Sequence, residues 1–188
     1  MNTNEAYVFL AEGFELIEAM TPVDVLRRAG MTVTTVSITS DKLVKSANGV
    51  SVKADMTLDP EKIKIGGWLI LPGGLPGATN LYDCLPLREL IKKQYESAEG
   101  MIASICASPA MVLGQLGYLD GRTAICYPGC EEYMHGATIA NTGVTVDEKF
   151  VLGAGPALAL PWSLKIAEVA CGAEVAKQVA DGMLVNRY

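Results

Sequence analysis

Short apolar runs of strand length alternate along the chain with segments whose apolar residues recur at helical spacing. The run Ala6-Tyr7-Val8-Phe9-Leu10 predicts a buried strand. After a loop, apolar residues recur at helical spacing from Leu16 to Leu26, and Gly30 follows as a C-terminal stop. The pattern therefore predicts a strand and its crossover helix at the start of the chain.

The same alternation continues to the end of the sequence. Further strands are predicted at 31–38, 67–71, 101–105, 122–126, 144–146 and 150–152. Further helices are predicted at 87–95, 109–116, 162–170 and 174–180. A hairpin over 44–52 is predicted around Asn48-Gly49, a pair suited to a tight primed turn. Strands that alternate with helices predict an α/β fold, with a mostly parallel sheet covered by helices on both faces.

Composition narrows the class of protein. The 188 residues fit one domain, 1–188, with a core large enough to need no disulfide or metal. Every apolar run is too short for a membrane span, and the amino terminus lacks the pattern of a secretory signal, so we expect a cytoplasmic protein. The net charge of −6, with no basic cluster, argues against nucleic acid as a partner. Five cysteines at irregular spacing predict free thiols.

Cys106 is the first candidate for chemistry. It directly follows the predicted strand 101–105, and Pro109 suits the first turn of the next helix. Small neighbours permit a sharp turn like that of a hydrolase nucleophile elbow, although the flanking glycines of that motif are absent. A helix N-terminus would lower the pKa of the thiol and make it reactive. The alternative is a buried cysteine that serves as a small hydrophobic residue.

Two other segments are predicted to end near Cys106, because functional crevices lie at the carboxyl ends of parallel strands. The glycine-rich turn after the strand 67–71 and the residue after Cys106 could offer backbone N–H groups to an oxyanion. Glu15 and Glu18 lie near the start of the first helix, where either could simply complement the helix dipole. The apolar neighbours of Glu18 also suit a half-buried carboxyl with a raised pKa that hydrogen-bonds a thiolate.

A metal site is the weaker interpretation of the remaining cysteines. Cys126 and Cys130 lie four positions apart and His135 follows, but this spacing suits no common zinc motif. His135 is the only histidine, and its polar surroundings predict a surface position. The expectation is therefore no metal and no bound cofactor.

Four segments together resemble the ThiJ/PfpI superfamily, and within it the branch of the parkinsonism-associated protein deglycase. They are Glu18 with 21–30, Leu71-Pro72-Gly73-Gly74 with Gly77-Ala78, the elbow 102–109, and Gly155-Pro156. The resemblance implies a flavodoxin-like three-layer sandwich that forms a homodimer. It also implies a hydrogen bond between Cys106 and Glu18, and assigns the oxyanion-type N–H groups to Gly74 and Ala107.

The chain departs from the family pattern at three places. The peptidase-like branch has a histidine directly after the cysteine, where this chain has Ala107, so a protease is disfavoured. The deglycase branch has a histidine before a proline after the elbow helix, where this chain has Tyr127 before Pro128. A phenol is not a base near neutral pH, so weak turnover is expected. The family's Ser-Arg pair in the hairpin is Ala47-Asn48 here.

Two functions remain open at this point. The first is a cofactor-independent enzyme with glyoxalase- or deglycase-like chemistry, in which Cys106 attacks small reactive aldehydes and Glu18 relays a proton. The second is a redox sensor or chaperone-like stress protein in which peroxide oxidises Cys106 to a sulfinate without turnover. A glutamine-amidotransferase-like module is a third interpretation, but it needs a histidine base that His135 is poorly placed to supply. The sequence leaves open the substrate, the dimer surface and the cysteine that resolves an oxidised Cys106.

Overall fold

A computed structural model describes residues 4–185 of the chain. Its strands are β1 (Glu5–Leu10), β2 (Thr32–Ser37), β3 (Leu43–Lys45), β4 (Ser51–Lys53), β5 (Met56–Thr57), β6 (Trp68–Leu71), β7 (Met101–Ile105), β8 (Thr123–Ala124), β9 (Thr138–Ile139), β10 (Val144–Asp147) and β11 (Phe150–Gly153). Its helices are α1 (Leu16–Arg28), α2 (Gly77–Asp83), α3 (Leu85–Glu96), α4 (Ala159–Cys171) and α5 (Ala173–Gly182). A further helical segment, Pro109–Gly114, follows β7, and three short 3-10 turns lie at Pro60–Lys62, Glu131–Tyr133 and Pro156–Leu158.

Seven strands form the central sheet in the order β10-β11-β7-β6-β1-β2-β5. Every pair in it is parallel except β10 with β11. The chain builds outward from β1 to β2 on one side and then crosses to β6 on the other, so the direction of winding changes between β1 and β6. Ligands of open parallel sheets bind beside such a change, at the carboxyl ends of the strands.

Alternate residues of the buried strands point to opposite sides of the sheet, so apolar side chains lie on both faces. Helices cover each face. Ala6, Val8 and Leu10 of β1 belong to the hydrophobic cluster that includes residues of α1 and α4. Tyr7 and Phe9 of the same strand belong to the cluster that includes residues of α3 and the 109–114 segment. The result is a flavodoxin-like three-layer sandwich, which confirms the fold that the family resemblance implies.

Most predicted elements lie where the pattern placed them, including the antiparallel hairpin of β3 and β4. The strand predicted at 122–126 is wrong in extent: only β8 forms there, and it pairs with β9 outside the central sheet. Helix α2 and strands β5 and β9 have no counterpart in the prediction, because each is too short to show a period.

No helix within residues 4–185 is long and apolar enough to cross a membrane. Met1-Asn2-Thr3, on which the expected lack of a secretory signal partly rests, lies outside the described residues.

Candidate active site

Cys106 lies on a sharp turn between β7 and the 109–114 helical segment. Its φ of 64° is in the left-handed region, which residues other than glycine seldom adopt. Two backbone hydrogen bonds hold it there: the Cys106 N–H donates to the Gly153 carbonyl at 2.9 Å, and the Tyr127 N–H donates to the Cys106 carbonyl at 2.7 Å. The predicted elbow is confirmed, and the side chain is 8% exposed.

Glu18 reaches the same place from the first turn of α1. Its side chain is fully buried, and Oε2 accepts a hydrogen bond from the Gly73 N–H at 2.8 Å. Oε1 has no hydrogen-bond partner of standard geometry among the described residues, so the Cys106 thiol makes only a looser contact with the carboxyl. Because a carboxylate that is buried with one oxygen unpaired is poorly stabilised, Glu18 favours its protonated form.

The glycine-rich turn after β6 brings the two groups together. A Cβ on Gly73 would lie 2.6 Å from Cys106 Cβ and 2.7 Å from Glu18 Oε2, so only glycine fits between them. The next residue, Gly74, has a φ of +89° and turns its N–H toward the thiol. The backbone N–H groups of Gly74 and Ala107 both act to lower the pKa of the Cys106 thiol, so they are the candidates to stabilise an oxyanion that forms beside the sulfur.

Burial raises the pKa of Glu18 to about 7, and the charge of Glu15 adds to the shift. The N–H of Gly73 and the Cys106 thiol act in the opposite direction. Burial, and then the charge of Glu18, raise the pKa of the Cys106 thiol to about 12. The predicted lowering of the pKa of Cys106 is therefore wrong, because desolvation outweighs the N–H groups of Gly74 and Ala107.

The two acids are coupled, since two buried anions in contact repel each other. When Glu18 is protonated, its charge no longer opposes the thiolate, and the carboxyl can donate a hydrogen bond to sulfur. A proton that passes from the thiol to the Glu18 carboxylate therefore yields a thiolate without adding net charge to the site.

A cavity of about 250 Å³ opens onto the thiol. Its lining consists of Glu15, Gly74, Leu75, Cys106, Ala107, Tyr127, Cys130 and Pro156. Tyr127 is 48% exposed, and its ring lies against Gly155. Cys126, in contrast, is buried in the core cluster on the α3 side of the sheet. Both residues follow β8 rather than form part of a strand.

Of the other residues that the sequence analysis considered, His135 lies away from this cavity and Cys130 borders it. His135 is exposed, as predicted. Within residues 4–185 no three His, Cys, Asp or Glu side chains come together in a way that could hold a metal ion. Cys130 shares the cavity with Cys106, because a tight turn over residues 127–130 brings it back toward the elbow.

Sequence reasoning missed three supports of the site. The Gly73 N–H provides a hydrogen bond to Glu18, for which the sequence predicted no backbone partner, and the buried Ser108 hydroxyl donates to the Pro72 carbonyl, which joins the two turns. Gly153 anchors the elbow from β11. The adjacency of β11, β7, β6 and β1 in the sheet explains all three, and only the strand order, which the sequence does not show, could have revealed them.

Comparison with known proteins places the chain among relatives of the same architecture. Residues 4–169 match the DJ-1/PfpI family. Protein DJ-1 homolog B of Arabidopsis thaliana is 36% identical over 188 residues, which are 99% of this chain and 42% of that protein. The match to Protein DJ-1 homolog A of the same plant covers 47% of that protein. The chain therefore spans about half the length of each of these two plant relatives.

Two further relatives bear on the site. Glutathione-independent glyoxalase DJR-1.2 of Caenorhabditis elegans is 32% identical over 164 residues, which are 87% of this chain and 86% of that protein. The solved structure of oxidized Toxoplasma gondii DJ-1 superimposes with a TM-score of 0.90 at 34% identity, covering 96% of this chain and 97% of that one.

Proposed function

Because the chain belongs to the DJ-1/PfpI family, we propose that it is a cysteine-based carbonyl-stress protein that acts on small reactive aldehydes such as methylglyoxal. The observation that carries the proposal is that Cys106, Gly74 and Ala107 border one small cavity, while Glu18 lies buried beside the Cys106 thiol. At about 250 Å³ the cavity lies below the range of typical drug-sized sites, which suits a substrate of a few heavy atoms. The name of the worm glyoxalase supports the same class of reaction.

In the proposed reaction the Cys106 sulfur attacks the aldehyde carbon, and the thiol proton passes to the Glu18 carboxylate. The carbonyl oxygen becomes an oxyanion beside the Gly74 and Ala107 N–H groups, then takes a proton to give a hemithioacetal. For methylglyoxal, Glu18 next moves the proton from the former aldehyde carbon to its neighbour, while the hydroxyl proton of the hemithioacetal passes to the former ketone oxygen, which produces a thioester of lactate. Water hydrolyses the thioester and releases lactate and the thiol, so the net change is the addition of one water and no cofactor is required.

Tyr127 makes this reaction slow in the proposal. It borders the cavity where the family's deglycase branch has a histidine, and a phenol is a poor base near neutral pH. A well-placed base contributes roughly a hundredfold or more to rate. Deglycase-like activity would use the same groups.

The test is lactate formation from methylglyoxal by the wild type, Cys106→Ala and Tyr127→His. We expect slow turnover in the wild type, none in Cys106→Ala, and turnover about tenfold or more higher in Tyr127→His, since histidine supplies a base near neutral pH. Cys84→Ser is the matched control, because Cys84 does not border the cavity. Equal turnover in wild type and Cys106→Ala would contradict the proposal.

A redox role is the second candidate function, and the position of Cys130 favours it. Cys130 is half-buried and borders the same cavity as Cys106, so a second thiol stands where an oxidised Cys106 would be resolved. In this alternative, oxidation of Cys106 by peroxide, either to the sulfinate expected from the sequence or to a disulfide with Cys130, is the signal or part of a chaperone-like stress response, and no aldehyde is turned over. Under either function we propose a cytoplasmic homodimer, as free thiols and the family resemblance favour.

A further inference from the structure

The mouth of the Cys106 cavity carries a fixed negative charge. The half-buried carboxylate of Glu15 borders the cavity, and the Asn48 amide donates to its Oε1 at 3.3 Å. No lysine, arginine or histidine is among the residues that line this cavity in the described part of the chain. A reactant that approaches the thiol therefore passes a carboxylate, and no cationic side chain among the residues that line the cavity offsets its charge.

The Glu15 side chain does not cap the helix end at which it lies. It occupies the N-cap position of α1, yet its side chain accepts no hydrogen bond from a backbone N–H there. Its backbone is instead fixed to the turn after β6, since the Glu15 N–H donates to the Gly73 carbonyl at 2.9 Å. Its charge also reaches the buried pair, because it contributes to the raised pKa of Glu18.

We propose that Glu15 selects the charge of the molecules that react with Cys106. The site admits neutral or cationic electrophiles, such as uncharged α-oxoaldehydes, and repels carboxylates of the same size, such as glyoxylate. For the substrate class this inference rests on the proposed function, but the repulsion itself is a property of the cavity and is measurable with any thiol reagent.

The physical basis is Coulomb repulsion in a partly desolvated space. The Glu15 carboxylate and an anionic reactant lie several ångströms apart, at an effective dielectric constant between that of a protein surface and that of water. Their repulsion raises the interaction energy by about 1 to 2 kcal/mol relative to a neutral reactant, which corresponds to about tenfold in rate. Added salt screens the part of this repulsion that passes through solvent. A purely structural role of Glu15 would give neither charge discrimination nor a dependence on salt.

Iodoacetamide and iodoacetate provide a matched pair of probes. Both are attacked at the CH₂ carbon by the thiolate, which forms one C–S bond and releases iodide, and they differ in the neutral amide or anionic carboxylate. The rate of each reagent at Cys106 is divided by its rate with N-acetylcysteine, which corrects for the intrinsic reactivity of the reagent. The ratio of the two normalised rates no longer depends on the fraction of Cys106 that is thiolate. The variants are Glu15→Gln, and Glu12→Gln as a control, which removes an equal charge from a neighbouring residue outside the cavity lining.

We expect the wild type to prefer iodoacetamide by about tenfold beyond the free thiol, with the preference falling as salt rises. Glu15→Gln should bring the normalised ratio close to one, and Glu12→Gln should leave it near the wild-type value. A ratio near one in the wild type, or a ratio unchanged in Glu15→Gln, would overturn the inference.

The substrate arm compares 2-oxopentanal with 4,5-dioxopentanoate, two α-oxoaldehydes with the same five-carbon chain, of which only the second ends in a carboxylate. Both keep the ketone carbon that accepts the migrating proton. We expect Glu15→Gln to raise the ratio of kcat/KM for 4,5-dioxopentanoate to that for 2-oxopentanal by about tenfold. Absence of turnover with either compound, together with a reagent ratio that depends on Glu15, would refute the proposed function and leave the charge selection intact. Turnover with both compounds, together with a reagent ratio that does not depend on Glu15, would support the proposed function and refute the charge selection.

Discussion

At the scale of single residues, Glu18 determines how the protonation of the site responds to pH. It is an acid with no exposed surface, and burial raises its pKa from 4.5 to about 7. Between these two values the folded chain holds a proton that the unfolded chain has lost. Deprotonation on the way to neutral pH therefore weakens the native state.

We expect the free energy of unfolding to fall as the pH rises from about 4.5 to about 7, by about 3 kcal/mol from this residue. Urea denaturation at pH 5 and pH 7.5, at one fixed protein concentration, measures the difference. In Glu18→Gln, which cannot ionise, this fall should disappear, whereas Glu12→Gln on the exposed loop should retain it. The same fall in Glu18→Gln as in the wild type would assign the pH dependence to another group.

At the scale of elements, the turn over residues 127–130 joins the elbow to a second thiol. The Cys130 N–H donates to the Tyr127 carbonyl at 3.1 Å, and Gly129 has the positive φ of +94° that a type II turn requires after Pro128. Of the five free thiols, Cys106 and Cys130 are the two that line this cavity. Cys130 is therefore the thiol best placed to meet an oxidised Cys106.

We expect a hydroperoxide to convert the Cys106 thiolate to a sulfenic acid, with release of water or an alcohol. The Cys130 thiol then attacks that sulfur, forming a Cys106–Cys130 disulfide and a second water. Non-reducing peptide mapping should find this disulfide in the wild type and in Cys84→Ser. In Cys130→Ser, further peroxide should give a Cys106 sulfinate in its place. A sulfinate as the first stable product of the wild type would show that Cys130 does not resolve the site.

Elements of sufficient length were predictable, and short or irregular ones were not. The strands β1, β6 and β7 and the helices α1, α3 and α4 have periods that the sequence displays over four or more residues. The two-residue strands β8 and β9 depend on pairing with each other, which no local pattern encodes. The candidate pair of Cys106 and Glu18 was predictable from motifs, but the sign of the shift in the pKa of Cys106 was not. That sign depends on burial by the turn at Gly73, a consequence of strand order.

At the scale of the whole molecule, helices α1 and α4 leave an apolar surface open to solvent. Leu16, Ile17 and Met20 of α1 face Leu160 and Met183 across a groove of about 530 Å³, and Ile17 is 48% exposed. Exposed apolar patches of this kind mark interaction surfaces. With the homodimer that the family resemblance implies, this is the surface on which we expect a second copy of the chain to pack.

Ile17→Glu should convert the dimer to a monomer, because it places an unpaired charge in the centre of the groove. A penalty of about 2 to 3 kcal/mol weakens association by about a hundredfold. Sedimentation velocity at low micromolar concentration measures the change. Leu85→Glu, at an exposed leucine on α3, is the matched control and should remain a dimer. A wild type that sediments as a monomer, or an Ile17→Glu variant that stays dimeric, would exclude this interface.

The central claim is that Cys106 and Glu18 titrate as one coupled pair, and the pH dependence of Cys106 alkylation tests it most directly. With iodoacetamide and peptide mapping, the rate at Cys106 should rise in a step centred near pH 7, where the pair loses its first proton and part of the population becomes thiolate beside a protonated Glu18. The rate should then level off and rise again only toward pH 12, where the second proton leaves. In Glu18→Gln the step near pH 7 should vanish and leave a single rise in the alkaline range. A wild-type profile without the step near pH 7, or a step that survives in Glu18→Gln, would contradict the account.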